Sequence, residues 1–264
     1  MSFWGLDLSL ICNFYTLIIE SFYDSKGEWS GFSIFTSISI ISAKGKQVNR
    51  IRANYRIGPH NLEILSIIYG TLLGDSHAEL RESGNGTRIS FYQEANHKEY
   101  LLWLHAKLAL QGYCNPFLPK IQTRLSKRGK IRNIIRFHTF TYSSFNFIRE
   151  DWYLNGVKIV PYNIEVYLTP LALAVWIMDD GARVGSGLKL STNSFSFEDT
   201  TRLVLILNKL YGIKSSVQSA GYLNQYIIYI WSESMLKLRQ LVKPYMVSSM
   251  LYKLGDISSK EKDV

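Results

Sequence analysis

Two apolar stretches of this chain stop in the same unusual way. The first runs Ile67-Ile68-Tyr69-Gly70-Thr71-Leu72-Leu73-Gly74-Asp75-Ser76, the second Leu173-Ala174-Val175-Trp176-Ile177-Met178-Asp179-Asp180-Gly181, and Asp75 and Asp180 lie 105 residues apart. Each is apolar nearly all round, which predicts a buried helix rather than a surface one. The second has a clear start, with Thr169 able to cap and Pro170 at the first helical position. The first is expected to start at Asn61, with Glu63 in its first turn. The segments downstream of the two helices repeat as well. After the first helix come strand-like 87–93, helix-like 98–111, strand-like 120–125 and 136–142, and helix-like 145–153. After the second come strand-like 188–194, helix-like 198–211, strand-like 214–219 and 226–231, and helix-like 234–242. One added strand completes the first hairpin of each half. The reading is then an α+β chain of two pseudo-symmetric αββαββα repeats, 58–160 and 161–257, with an N-terminal extension 1–57 and a tail 258–264.

Charge points to the partner. Of 264 residues, 30 are Lys or Arg and 21 Asp or Glu, a net charge of +9 on a chain that is 47% hydrophobic. That excludes a mainly disordered chain and favours a polyanionic partner. The excess is local. From Tyr100 to Arg149 there is no acid, while Lys107, Lys120, Arg124, Lys127, Arg128, Lys130, Arg132, Arg136 and Arg149 fall there, interleaved with Tyr, Phe and Asn. This is the pattern of a phosphate-tracking surface. One strand face would present Arg136 and His138, another Lys189, Ser191 and Asn193, groups that can meet phosphates and base edges.

Two helices ending in Asp are electrostatically awkward, because a helix C-terminus already carries partial negative charge. A divalent cation between the two ends reverses the sign of the problem. Carboxylates and nearby carbonyls suit Mg²⁺ rather than Zn²⁺. Gly70, Gly74 and Ala174 are small enough for the helices to approach closely and bring Asp75 beside Asp180. Two cysteines and five scattered histidines offer no disulfide framework or zinc site. No run reaches the roughly 18 apolar residues of a membrane span. The 1–57 stretch lacks the basic start of a signal peptide and the Arg-rich look of a transit peptide. The 17 Tyr and 13 Phe, with frequent Ile, Ser and Asn, hint at AT-rich organelle coding.

These motifs resemble those of the LAGLIDADG homing endonucleases, in the single-chain, two-repeat form encoded in organelle introns. The string from Thr169 to Gly181, Ser194-Phe195-Ser196-Phe197-Glu198, Lys243-Pro244-Tyr245-Met246 and Met250-Leu251-Tyr252-Lys253-Leu254 all resemble that branch, and the likeness covers 58–257. The resemblance implies a saddle with one four-stranded antiparallel sheet per half in the DNA major groove. It implies Asp75 and Asp180 as metal-binding acids, with carbonyls at Gly74 and Asp179, and Mg²⁺ or Mn²⁺ as cofactor. It further implies Lys158 as the basic residue beside the first acid, while Gln225 occupies the equivalent region of the second repeat, where the role could pass to Lys214. The function implied is metal-dependent cleavage of double-stranded DNA at a long asymmetric site, by a monomer acting in the mitochondrion or the chloroplast. Two other readings stand beside it: a group I intron RNA maturase, alone or combined with cleavage, and a DNA-binding protein that has lost catalysis, for which Gln225 is the supporting feature.

Overall fold

The computed structural model describes residues 51–255 apart from 82–84, 126–128 and 130. Asn61 opens α1 (Leu62–Leu73) by accepting the Ile64 backbone N–H at 2.8 Å. The hairpin β1 (His77–Arg81) and β2 (Gly86–Glu94) comes next, then α2 (Lys98–Leu110). A second hairpin, β3 (Ile121–Leu125) and β4 (Ile131–His138), leads to α3 (Asn146–Trp152). The connection to the second half carries the short β5 (Tyr153–Leu154), β6 (Val157–Lys158) and α4 (Ile164–Tyr167). The order then recurs: α5 (Pro170–Asp180), β7 (Gly181–Val184), β8 (Gly187–Ser191), α6 (Phe197–Tyr211), β9 (Ser215–Ser219), β10 (Tyr226–Ile230) and α7 (Met235–Val242). A 3₁₀ helix, Ser248–Leu254, closes the described chain.

The repetition is topological as well as sequential. Both main sheets are antiparallel and both have one order, β1-β2-β4-β3 and β7-β8-β10-β9. β4 corrects the sequence-based bounds of 136–142. Ile131 to Ile135 pair with β3 as the return arm of its hairpin, and the regular ladder stops at His138. There the Thr139 hydroxyl accepts the Ile89 N–H at 2.9 Å, replacing a strand partner.

α1 and α5 lie side by side at the centre. A Cβ on Gly70 would sit 2.5 Å from the Ala172 carbonyl oxygen and 3.0 Å from Val175 Cβ, so only glycine permits this approach. Both helices are buried along most of their length, including Ile67, Ile68, Tyr69, Leu72, Leu173, Trp176 and Ile177. The inner sheet faces pack outside them, with Ile89, Phe91, Ile135 and Phe137 from one half and Leu188, Leu190, Ile228 and Ile230 from the other in one continuous core. Among the described residues no helix is long and apolar enough to cross a membrane.

Candidate active site

The ends of the two central helices come together as an acidic cluster. A Cβ on Gly74 would lie 2.5 Å from Asp179 Cβ and 2.7 Å from its Oδ2, so the bare glycine lets the end of α1 close onto the end of α5. Gln93 of β2 links the two repeats: its Nε2 donates to Asp75 Oδ2 at 2.7 Å and to Asp179 Oδ1 at 3.1 Å. The Gln93 Oε1 faces His97 Nδ1 at 3.2 Å, so a proton on that nitrogen fixes the amide's orientation. Burial lowers the His97 pKa and favours the neutral ring.

Two lysines flank the acids from opposite repeats. Lys158 donates from Nζ to the carbonyl oxygens of Gly74 at 3.3 Å and Ser76 at 2.9 Å. Lys253, buried in the 3₁₀ helix, donates to the carbonyls of Met178 and, at 3.0 Å, Asp179. Lys253 thus satisfies carbonyls in the last turn of α5, and Lys158 those of the Gly74 cap of α1 and of Ser76 beyond it. Burial pushes Lys158 down to about 8, against the pull of Asp180, Asp179 and Asp75. Burial lowers Lys253 as well. Burial, with Asp75 adding to it, pushes Asp180 up to about 7. Asp179 rises well above the usual carboxylate range for the same two reasons, with the Tyr100 hydroxyl and Lys253 pulling the other way.

Raised carboxylates packed at two helix ends mark a site short of positive charge, which a divalent cation would supply. Among the described residues no group of three His, Cys, Asp or Glu side chains is placed to hold a metal ion. The donors are instead carboxylates at two helix ends with carbonyls beside them, an open set that suits a hard cation retaining water and phosphate ligands.

The outer sheet faces hold several of the other predicted residues. In the first sheet Arg124 lies opposite Arg132, and Tyr92 opposite Arg136. Arg132 approaches Glu94 at 3.8 Å, His138 Nδ1 meets Ser90 Oγ at 2.8 Å, and Lys120 lies just before β3. Lys189 and Ser191 stand on β8 of the second sheet. Lys127, Arg128 and Lys130 lie outside the described residues.

Residues 65–238 match the family model described as the LAGLIDADG DNA endonuclease family. The chain belongs to the LAGLIDADG DNA endonuclease family. It is 50% identical over 215 residues to the cytochrome b mRNA maturase bI2 of Saccharomyces cerevisiae, a match covering 79% of this chain and 51% of that protein. It is 51% identical over 198 residues to the cytochrome b mRNA maturase bI2 of Debaryomyces hansenii, covering 75% and 76%. The chain therefore spans about half the length of the S. cerevisiae relative. Among solved structures, the homing endonuclease I-WcaI bound to its DNA recognition sequence matches with a TM-score of 0.65 at 24% identity, over 74% of this chain and 86% of that one. The α+β fold of two repeats forming a saddle with antiparallel sheets is thus the LAGLIDADG fold.

Within that fold two expectations need correction. Gln225 is not at the acids: it sits in the turn before β10, where its Oε1 accepts from Asn193 Nδ2 at 2.9 Å. Asn193 itself lies beyond the end of β8. Lys214 does not substitute, because its Nζ pairs with Glu233 at 3.3 Å. The second-repeat lysine at the acids is Lys253. It belongs to one of the strings that carried the family resemblance, and that was its only sequence signal. Gln93 gave no signal at all, being one amide in an ordinary strand. The sheet registers place Thr192 at its counterpart: Ser90 and Lys189 pair with the residues two past each acid, and Gln93 and Thr192 lie three further on. Thr192 donates to the Tyr226 carbonyl at 2.8 Å, so the amide bridge belongs to one repeat alone.

Proposed function

We propose that this chain is a site-specific endonuclease that hydrolyses both strands of a long asymmetric DNA site in a divalent-metal-dependent reaction and so promotes the mobility of its intron. One observation carries the reading: Asp75, Asp179 and Asp180 gather with Lys158 and Lys253 at the ends of two paired helices, between sheets of one topology. Asp75 and Asp180 would hold Mg²⁺ or Mn²⁺, with the Gly74 and Asp179 carbonyls beside them. When bound, such an ion supplies a water of lowered pKa and a Lewis acid for the leaving oxygen. Gln93 keeps acids of both repeats in register. Lys158 and Lys253 put positive charge next to the phosphate on which negative charge grows. A lysine at about 8 also exchanges protons readily with water near neutral pH. Arginines of the first sheet and Lys189 of the second would engage the DNA on either side. The repeats are taken to span 58–160 and 161–257, with 1–57 outside them.

A second reading has its own support. The relatives at 50% and 51% identity are named cytochrome b mRNA maturases, so binding of group I intron RNA, alone or with cleavage, is proposed as the alternative. The same names support a mitochondrial setting. The test uses purified full chain, Mg²⁺, and a duplex spanning the intronless cytochrome b junction, with the Asp75→Asn/Asp180→Asn double variant alongside. Double-strand cleavage by the wild type alone upholds the endonuclease. Tight binding of intron RNA without cleavage of the duplex transfers the function to RNA.

A further inference from the structure

The two sheets have the same topology but present different chemistry outward. On the open face of the first sheet stand Arg81, Arg88, Arg124, Arg132 and Arg136. Glu79 holds Arg81 at 3.2 Å and Arg88 at 2.7 Å, whereas Arg124 and Arg136 have no ion-pair partner among the described residues. The connection between β3 and β4 adds Lys127, Arg128 and Lys130 in sequence. On the open face of the second sheet one row reads Ala182, Lys189, Tyr229, Ser216 and the next Ser191, Ile227, Gln218. Val184 lies at its end, 44% exposed. Lys189 is the one charged residue in this set. The matching connection, 220–225, has no charge and exposes Tyr222 and Leu223 by 72% and 90%.

Guanidinium groups bind phosphates and pair bidentately with guanine, while apolar side chains in the major groove meet the thymine methyl, the groove's distinctive apolar group. We infer that the two halves of the DNA site are recognised by different means: the half under the first sheet by salt-sensitive arginine contacts to phosphate and guanine, the half under the second sheet by apolar contacts of Ile227 and Val184 with thymine methyls, which makes that half A·T-rich. The inference rests on the endonuclease reading and specifies the base composition of its DNA site.

The test is selection of bound duplexes from a randomised library by the full chain in EDTA, so that binding is read without cleavage. Repeating it with Arg124→Gln/Arg136→Gln relaxes preference in one half of the consensus, identifying the half under the first sheet. That variant is expected to lower the slope of log affinity against log salt by about 1–2, at about 0.9 for each phosphate no longer neutralised. In the other half, replacing thymine by uracil removes only the methyl and is expected to weaken binding about fourfold per recognised base. The Ile227→Ser variant, or Val184→Ser if Ile227→Ser unfolds, should abolish that uracil effect at its position while leaving the salt slope unchanged. Equal uracil effects in both halves, or an undiminished effect in both serine variants, would overturn the inference and leave the endonuclease reading intact. Failure to enrich any duplex would sink the DNA-cleavage reading itself, and the inference with it.

Discussion

Asp180 carries a carboxyl that burial and Asp75 push up to about 7, so its charged form is disfavoured in the folded chain. Between the unfolded value near 4 and about 7 the folded state holds the extra proton, and that stability is lost as pH rises through 7. Metal-free protein should therefore melt at a lower temperature at pH 8 than at pH 5, and added Mg²⁺ should raise the melting temperature more at pH 8. A Mg²⁺ shift equal at both pH values would count against these acids as the ion's ligands. Asp180→Asn is expected to stabilise the metal-free chain at pH 8 by roughly 1–2 kcal/mol once solvent screening at the open site is allowed for. It should abolish cleavage at the same time; urea melts and a plasmid assay measure the two. The lysines make a second prediction. Lys158→Met and Lys253→Met should each slow cleavage at least ~100-fold, the loss typical of one electrostatic donor, with circular dichroism confirming the fold. Wild-type cleavage by Lys253→Met would remove it from the site. The placement of Asp75 and Asp180 was legible in sequence because the motif fixes where each central helix ends, while Lys158 was singled out only through the family resemblance. Lys253 was not, because the two lysines arrive on different structures. One sits on the short strand β6, the other in a 3₁₀ helix, so counting from the acids does not superpose them.

Helices α1 and α5 were readable because their ends are written locally: Asn61 and Thr169 cap them, and Gly70 sits where they cross, although it meets Ala172 and Val175 and not the expected Ala174. Strand bounds were less readable because pairing, rather than propensity, sets them. β4 begins five residues earlier than its alternation suggested, since a hairpin with β3 recruits Ile131 to Ile135. The helix crossing gives the prediction at this scale. A methyl at Gly70 would meet the Ala172 carbonyl oxygen at 2.5 Å, and a backbone atom inside a helix cannot swing aside as a side chain can. Gly70→Ala should therefore part the helices and cost about 1–3 kcal/mol, the usual range for overpacking, with cleavage lost more steeply than stability as the two acid ends separate. Unchanged urea stability would mean that the crossing relaxes easily.

At the scale of the molecule, the duplicated sequence suggests two units, yet the physics joins them. Trp152 and Tyr69 of the first half and Trp176 of the second are fully buried in one continuous apolar cluster. Separating the repeats would expose helix faces that are apolar nearly all round, at about 25 cal/mol for each Å² laid bare. Neither repeat then has a stable surface of its own along the central helices. The expected outcome is one cooperative transition over residues 51–255, with tryptophan fluorescence and far-ultraviolet circular dichroism tracing the same urea curve. Two separated transitions would mean that each repeat keeps its own core and that the crossing at Gly70 is a docked interface. The coupling also bears on the acids. Gln93 bonds Asp75 of its own half and Asp179 of the other, so loosening either repeat moves both sides of the site. A DNA site engaged by only one sheet should accordingly protect the whole described chain from proteolysis, and not one repeat alone.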